Sequence, residues 1–309
     1  MEITTRTPGT DRVRRFIFEK QPVRGHWVRL AEAWRELRAH AHYPQPVEEL
    51  LGEAVAASVL LAASLKFRGR LTLQLQGNGA VRLLVAQCTH EFGVRALARF
   101  DADRVSEPAD VVAPGPIFQR LVGSDGRLTV TIETDEQGAP YQGIVPLQGA
   151  SLGESLETYF ASSEQLPTRV LVAADRDGCA GLLVQKMPQP ASAAGSEDAW
   201  VDAQRGIGRL RAADLLVAPV ESLLERGFEG HDLRLFRGSS VHFECRCGEG
   251  RVAALLRALG EEEVRDVLKE QGSVTVTCEF CHRPYRFGAR DVDALFTGGG
   301  GPGAPEEIQ

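Results

Sequence analysis

Four cysteines near the C-terminal end of the chain are the residues whose types and spacing indicate chemistry most clearly. Cys245 and Cys247 form a C-x-C pair, and Cys278 and Cys281 form a C-x-x-C pair after thirty intervening residues. Four thiolates gathered by two short turns match the tetrahedral all-sulfur coordination of structural zinc. Thiolates are also groups that an oxidant attacks. The spacing therefore predicts one zinc ion, in a site that is either a static support or a redox switch.

The spacing within each pair agrees with this interpretation. Side chains two residues apart in an extended chain point to the same side, so Cys245 and Cys247 project together. The C-x-x-C pair is the usual turn of a zinc knuckle, and the two pairs can place four sulfurs about 2.3 Å from one ion. The alternative is four unrelated buried thiols. His242 and His282 could each replace a cysteine as ligand, but the four-thiol set is complete without them.

Two other chemistries fit part of the same motif. Cys278 to His282 also matches the C-x-x-C-H pattern of covalent haem attachment. That reaction normally requires export, for which we find no signal, and it would leave the C-x-C pair unexplained. A thiol–disulfide oxidoreductase is a weaker alternative, because C-x-x-C also serves that reaction.

The composition and net charge of the chain limit the type of protein it can be and the partners it can bind. The 309 residues are 43% hydrophobic and 25% charged, which is typical of a folded chain of about two domains. We find no signal segment and no apolar run of about 18 residues, so we expect a cytoplasmic protein without a membrane-spanning helix. In that reducing compartment, clustered cysteines indicate metal or redox chemistry more often than a disulfide framework. The net charge of -7 argues against nucleic acid and anionic membranes as partners.

The periodicity of the chain predicts an α+β fold with a large mixed N-terminal domain, a helical linker and a small C-terminal zinc-binding domain. In the first domain, helical patterns precede alternating strand patterns, and Gly77-Asn78-Gly79 predicts a hairpin turn. A Pro- and Ser-rich stretch then interrupts both patterns. The predicted boundaries are 1–187 for the N-terminal domain, 188–240 for the linker, 241–296 for the zinc-binding domain and 297–309 for a disordered tail.

Within the predicted linker, residues 200–216 and 220–226 have helical spacing. Their apolar side chains alternate with many charges, which suggests a segment that docks reversibly. We expect a partner-binding surface on four leucines of this segment: Leu215, Leu216, Leu223 and Leu224.

The small C-terminal segment should depend on its metal. A domain of about 60 residues buries only about 60% of its unfolded surface, so its own core is marginal. Apparent zinc-binding free energies of about 10 to 16 kcal/mol exceed any stability that such a core supplies, and metal loss should unfold it. From residue 241 to 296 there are eight Arg or Lys and ten Asp or Glu residues, so a phosphate-binding face is not evident.

Several longer segments resemble one known family, the redox-regulated 33-kilodalton heat-shock chaperones of bacteria. Besides the cysteine pairs and Tyr285, the resemblance rests on these segments: 43–47, 65–77, 141–143, 159–160, 163–168 and 181–188. With the cysteine pairs, they are distributed across nearly the whole chain. The sequence departs from the family pattern at His282, where the family commonly has glycine, and in its Gly- and Pro-rich tail.

The resemblance implies an ATP-independent holdase that is inactive while reduced and zinc-bound, and that is not an enzyme. By analogy, oxidation forms the disulfides Cys245–Cys247 and Cys278–Cys281, releases zinc and unfolds the C-terminal segment with the adjoining linker. The exposed apolar surface then captures unfolding client proteins under oxidative stress, and the active form is a homodimer. A constitutive zinc-ribbon adaptor, in which the metal is only structural, remains the alternative. The remaining cysteines, Cys88 and Cys179, are expected to be buried apolar residues.

Overall fold

The computed structural model describes residues 11–106, 116–135, 139–188 and 196–297. They form two compact units that divide between Glu244 and Cys245. Helices and sheets are mixed, so the predicted α+β class is confirmed. Among the described residues, none of the helices combines the length and the apolar character needed to cross a membrane.

The first sheet of the N-terminal unit is antiparallel throughout. Its strands are β1 (Arg12–Phe18), β2 (Val23–Leu30), β8 (Thr168–Asp175), β9 (Gly178–Lys186), β10 (Leu233–Leu235) and β11 (Ser239–Ser240). They lie in the order β10-β1-β2-β9-β8, and β11 also pairs with β1. The centre of this sheet therefore joins segments about 160 residues apart, since Arg24 is opposite Gln185.

The second sheet contains the predicted hairpin. Its strands are β3 (Gly69–Gln76), β4 (Val81–Thr89), β5 (Gly93–Phe100), β6 (Arg127–Thr134), β7 (Tyr141–Pro146) and β12 (His242–Phe243). They lie in the order β12-β5-β4-β3-β6-β7, in which only the short β12 runs parallel to its neighbour. The turn at residues 77–80 joins β3 to β4, as Gly77-Asn78-Gly79 predicts.

Helix α2 (Gln45–Ser64) contacts strands of both sheets and forms the centre of the unit. Its Ala-, Val- and Leu-rich sequence is buried on most faces, which explains why it lacks a polar side. Alternation along β1 and β2 then assigns the two faces of the first sheet. Val13 and Val28 face the α2 core, whereas Phe16 and Trp27 belong to a second apolar cluster.

Shorter helices complete the N-terminal unit. They are α1 (Glu32–Arg38), α3 (Ala102–Ser106), α4 (Ile117–Val122), α5 (Leu152–Tyr159), α6 (Ser196–Gly208), α7 (Ala212–Val217) and α8 (Val220–Gly227). A π-helical turn, Phe160–Glu164, continues α5. The segment 200–216, predicted as one helix, is divided between α6 and α7 after Gly206 and Gly208, because glycine weakens a helix.

Helices α6, α7 and α8 form a layer on the outer face of the first sheet, and we call them the helical layer. Its apolar side chains join Phe16, Phe18 and Trp27 in the second cluster. Polar contacts add to the packing: the Arg29 guanidinium on β2 donates to the carbonyl of Leu215 at 3.0 Å. The segment predicted as a linker is thus packed within the N-terminal unit in this state.

The C-terminal unit is small and built from local elements. These are α9 (Glu249–Leu259), α10 (Glu261–Gln271), β13 (Val274–Thr277), β14 (Pro284–Phe287) and α11 (Ala289–Thr297). Gly272 ends α10 with a φ of 72°, in the left-handed region that glycine favours. Residues 241–244, which the sequence placed with the zinc-binding segment, pack with the N-terminal unit, where Val241 is buried in the α2 core. The predicted tail lies outside the described residues apart from Thr297.

The side chain of Asp11, the residue before β1, forms hydrogen bonds with the start of α1. Ala31 at the start of α1 has no capping side chain, and the Asp11 carboxylate instead accepts from the amides of Ala31, Glu32 and Ala33 at 2.6, 3.1 and 2.6 Å. We expect Asp11→Ala to lower the free energy of unfolding by about 2 to 3 kcal/mol, since it leaves buried backbone amides without a hydrogen-bond acceptor. Asp11→Asn, which keeps one acceptor oxygen, should lose less. Urea denaturation of the full-length protein measures both, and equal stability of Asp11→Ala and wild type would contradict this role.

Candidate metal centre

The four cysteines reach one place from two short segments of the C-terminal unit. Cys245 and Cys247 lie in the extended stretch that ends at Gly248, the residue before α9. Cys278 and Cys281 lie in the turn between β13 and β14. The amide of His282 donates to the Cys278 carbonyl at 2.8 Å, and the amide of Cys278 donates to the Arg283 carbonyl at 3.0 Å, which closes this turn.

The sulfur positions fit a single tetrahedral ion. The four Sγ atoms all lie within 4.8 Å of one another. The Cys247 sulfur is 3.4 Å from that of Cys245 and 3.3 Å from that of Cys281, and the Cys245 and Cys278 sulfurs are 3.7 Å apart. A regular tetrahedron with metal–sulfur bonds of about 2.3 Å has sulfurs about 3.8 Å apart. The donor set is therefore sterically and chemically able to hold a divalent metal.

The electrostatics of the cluster also favour a cation. Burial, together with contacts with the other three sulfurs, raises the pKa of Cys281 to about 12, although a hydrogen bond from the Arg283 amide acts in the opposite direction. The pKa of Cys245 is raised as well, chiefly by burial. Burial opposes ionisation at Cys247 too, but hydrogen bonds from Tyr285 and the other cysteines lower its pKa to about 7. Without a metal one thiolate forms readily, and four together need a positive charge between them.

The cluster is open to small reagents. Cys281 is 8% exposed, whereas Cys245, Cys247 and Cys278 are half-buried. All four are free thiols in this structure. The sulfur distances do not select a disulfide pairing, because Cys247 lies as close to Cys281 as to Cys245.

Neither histidine belongs to the cluster of ligand atoms. His242 lies on β12, where its Nε2 is 4.0 Å from the Glu244 carboxylate. His282 follows the C-x-x-C turn with a φ of 49°, in the left-handed region that glycine favours. This conformation accounts for the glycine that is common at the same position in the family the sequence resembles.

Tyr285 is the functional neighbour that the spacing of the cysteines did not indicate. Its hydroxyl lies 3.1 Å from the Cys247 sulfur. The sequence predicts a strand through Tyr285 and Phe287, which is confirmed as β14. A contact across 38 positions has no local signal, and only the resemblance placed Tyr285 beside the motif.

The predicted partner-binding leucines are buried in this state. Leu215 and Leu223 are fully buried in the second cluster, and Leu216 and Leu224 are nearly so. They are not a free surface while the helical layer is packed. The two remaining cysteines, Cys88 and Cys179, lie buried in the sheets as expected, and burial raises the pKa of Cys88.

Known proteins of one family match this chain over nearly its full length. A family model described as "Hsp33 protein" matches residues 11–288. The "33 kDa chaperonin" of Nitrosococcus oceani is 42% identical over 287 residues, covering 93% of this chain and 94% of that protein. The protein of the same name from Methylobacillus flagellatus is 40% identical over 289 residues, covering 93% and 95%.

A solved structure is similar as well. The 33 kDa chaperonin (heat shock protein 33 homolog) of Thermotoga maritima has a TM-score of 0.77 and 25% sequence identity, covering 93% of this chain and 98% of that one. With the sequence matches and the clustered cysteines, this likeness leads to one conclusion: the chain belongs to the Hsp33 family of chaperones.

Proposed function

We propose that this protein is an ATP-independent holdase that oxidation of its four-cysteine zinc centre activates. The observation that carries the proposal is the set of four sulfurs within 4.8 Å of one another, in a chain of a chaperone family. Cys245, Cys247, Cys278 and Cys281 would hold the ion as thiolates. When bound, zinc would supply the positive charge and cross-linking that keep the two cysteine segments together.

Apart from a bound metal ion, the C-terminal unit would have only a small apolar core to stabilise it. Its core consists of eight buried residues: Val252, Ala253, Leu256, Val264, Val274, Phe287, Val292 and Leu295. A core of this size gives marginal stability. Loss of the thiolate ligands would therefore unfold the unit, which gives the cysteines control over its folding.

Hydrogen peroxide is a sufficient oxidant for this step. One thiolate attacks a peroxide oxygen, an S–O bond forms, the O–O bond breaks and hydroxide leaves, so the sulfur becomes a sulfenic acid. A second thiolate then displaces hydroxide from that sulfur and forms a disulfide. The formation of each disulfide transfers two electrons from two thiolates to one molecule of hydrogen peroxide. We propose Cys245–Cys247 and Cys278–Cys281 as the products, neither of which can bind zinc as before.

The helical layer would supply the client-binding surface. Besides the buried Val241, the chain between α8 and Cys245 pairs with the sheets through β10, β11 and β12, which are only three, two and two residues long. Such short strands add little stability by themselves. Once they open, the helical layer can leave the sheet and expose Leu215, Leu216, Leu223 and Leu224 to unfolding proteins.

The expected location, oligomeric state and partners are carried over from the family resemblance. The oxidised protein would act in the cytoplasm as a homodimer, with unfolding proteins and not nucleic acid or membranes as partners. The constitutive zinc-ribbon adaptor and the thiol–disulfide oxidoreductase predict different behaviour. An adaptor would keep its function and metal under peroxide, and an oxidoreductase would turn over a small disulfide substrate.

Metal content and chaperone activity should change together. We expect the reduced protein to hold one zinc ion and to leave the thermal aggregation of malate dehydrogenase unaffected. After peroxide at mild heat, it should release the ion and suppress aggregation. A zinc-sensitive dye and light scattering measure the two changes.

The matched control is Cys88→Ala, which removes a thiol outside the cluster and should respond as wild type does. Cys247→Ser should lose the ion and suppress aggregation without oxidant. Retained zinc, or zinc loss without any gain in suppression, would eliminate the redox-switched holdase.

Weakening the helical layer should lower the threshold of activation. Leu223→Ala removes most of a fully buried side chain, and such truncations lower the free energy of unfolding by about 2 to 5 kcal/mol. We expect this variant to bind an apolar-surface dye and to suppress aggregation at a lower temperature or peroxide dose than wild type. Val217→Ala is the control, because Val217 is on α7 but 69% exposed. An unchanged threshold in Leu223→Ala would show that release of the layer is not part of activation.

A further inference from the structure

One hydrogen bond joins the two cysteine segments through a residue outside the motif. Tyr285 lies on β14, opposite Val276 on β13, and therefore belongs to the hairpin whose turn carries Cys278 and Cys281. Its hydroxyl is 3.1 Å from the sulfur of Cys247, which belongs to the other segment. The contact thus crosses the donor set from the C-x-x-C side to the C-x-C side.

The Tyr285 hydroxyl is the donor in this contact. Its ring is partly buried against the apolar core of the C-terminal unit, which holds the hydroxyl in place. A phenol O–H can donate to sulfur, and a thiolate sulfur can only accept.

We propose that Tyr285 is a positioning residue for the metal centre, and that its hydrogen bond to the Cys247 sulfur slows loss of the metal and so sets the rate of activation. The proposal rests on the proposed function, because it assigns a rate-controlling residue to the same site. It concerns an outer contact of one ligand and adds no fifth ligand.

The physical reason is the charge on the sulfur. A hydrogen bond stabilises negative charge on a thiolate, which favours the metal-bound form and makes the sulfur a poorer nucleophile toward peroxide. Hydrogen-bonding partners of metal ligands typically change metal affinity 10- to 100-fold when they are removed. The bond also ties Cys247 to the hairpin, so that the two segments separate less readily.

Tyr285→Phe removes the hydroxyl and keeps the ring that packs on the core. In the full-length zinc-loaded protein, we expect zinc to be lost about tenfold faster to a chromogenic chelator without oxidant, and similarly faster with peroxide. Tyr141→Phe is the matched control, because that hydroxyl lies 3.4 Å from Glu164 in the N-terminal unit. Equal rates for Tyr285→Phe and wild type in both conditions would overturn the proposal.

A spectroscopic measurement separates the hydrogen bond from packing. In the cobalt-loaded protein, loss of the hydrogen bond raises the energy of the sulfur lone pairs, so the sulfur-to-cobalt charge-transfer band of Tyr285→Phe should move to longer wavelength. Faster loss of zinc without this shift would assign the effect to packing and overturn the proposed hydrogen bond. The comparison is independent of chaperone activity: if wild type released zinc but never suppressed aggregation, the holdase proposal would fail while the role of Tyr285 was still measured.

Discussion

In the proposed function, the mutual repulsion of four crowded thiolates is the constraint on which the C-terminal unit depends. Its sulfurs lie within 4.8 Å of one another, and burial together with the neighbouring sulfurs raises the pKa of Cys281 to about 12. The same closeness is unfavourable for four anions and favourable for four ligands of one divalent cation. Because the unit has only a small apolar core, the proposed function lets the sign of this single interaction decide whether the unit folds. The features that make the site a strong metal ligand also make it sensitive to any reaction that consumes a thiolate.

The N-terminal unit is stabilised in a different way, which allows the two units to respond differently to oxidation. Helix α2 packs between two sheets in one large core, and its stability requires no cysteine chemistry, since Cys88 and Cys179 are simply buried. The helical layer is less secure. It covers one face of the first sheet through a separate cluster, with Asp214 accepting from Arg211 and Arg226 at its exposed side. On the proposed function, leucines that are buried against a sheet here and precede a metal-dependent segment in the chain would be suited to conditional exposure.

Local patterns predicted the parts of the molecule that are themselves local. The cysteine pairs, the hairpin at Gly77 and the returning strand at Tyr285 each involve residues near one another in the chain, where spacing is informative. Strands β1 and β2 were not anticipated, because Arg12–Phe18 and Val23–Leu30 carry several arginines and owe their pairing to β9, far away in sequence. Burial of the four leucines required the same long-range information. The contact of Tyr285 with Cys247 depends on the folded hairpin and could not be read from spacing at all.

The sulfur distances in the folded cluster do not decide between the possible disulfide pairings, and the proposed pairing depends on the state in which the second bond would form. In the folded cluster, the sulfur of Cys247 is equally near those of Cys245 and Cys281. As the unit unfolds, only neighbours in the chain stay close. Closing a loop of about 35 residues between Cys247 and Cys281 carries a larger chain-entropy cost than closing the short loop to Cys245, although the short loop carries some strain. On the proposed function, in which oxidation unfolds the unit, this difference would favour the proposed disulfides Cys245–Cys247 and Cys278–Cys281, and such short-range disulfides would leave the two segments free to separate.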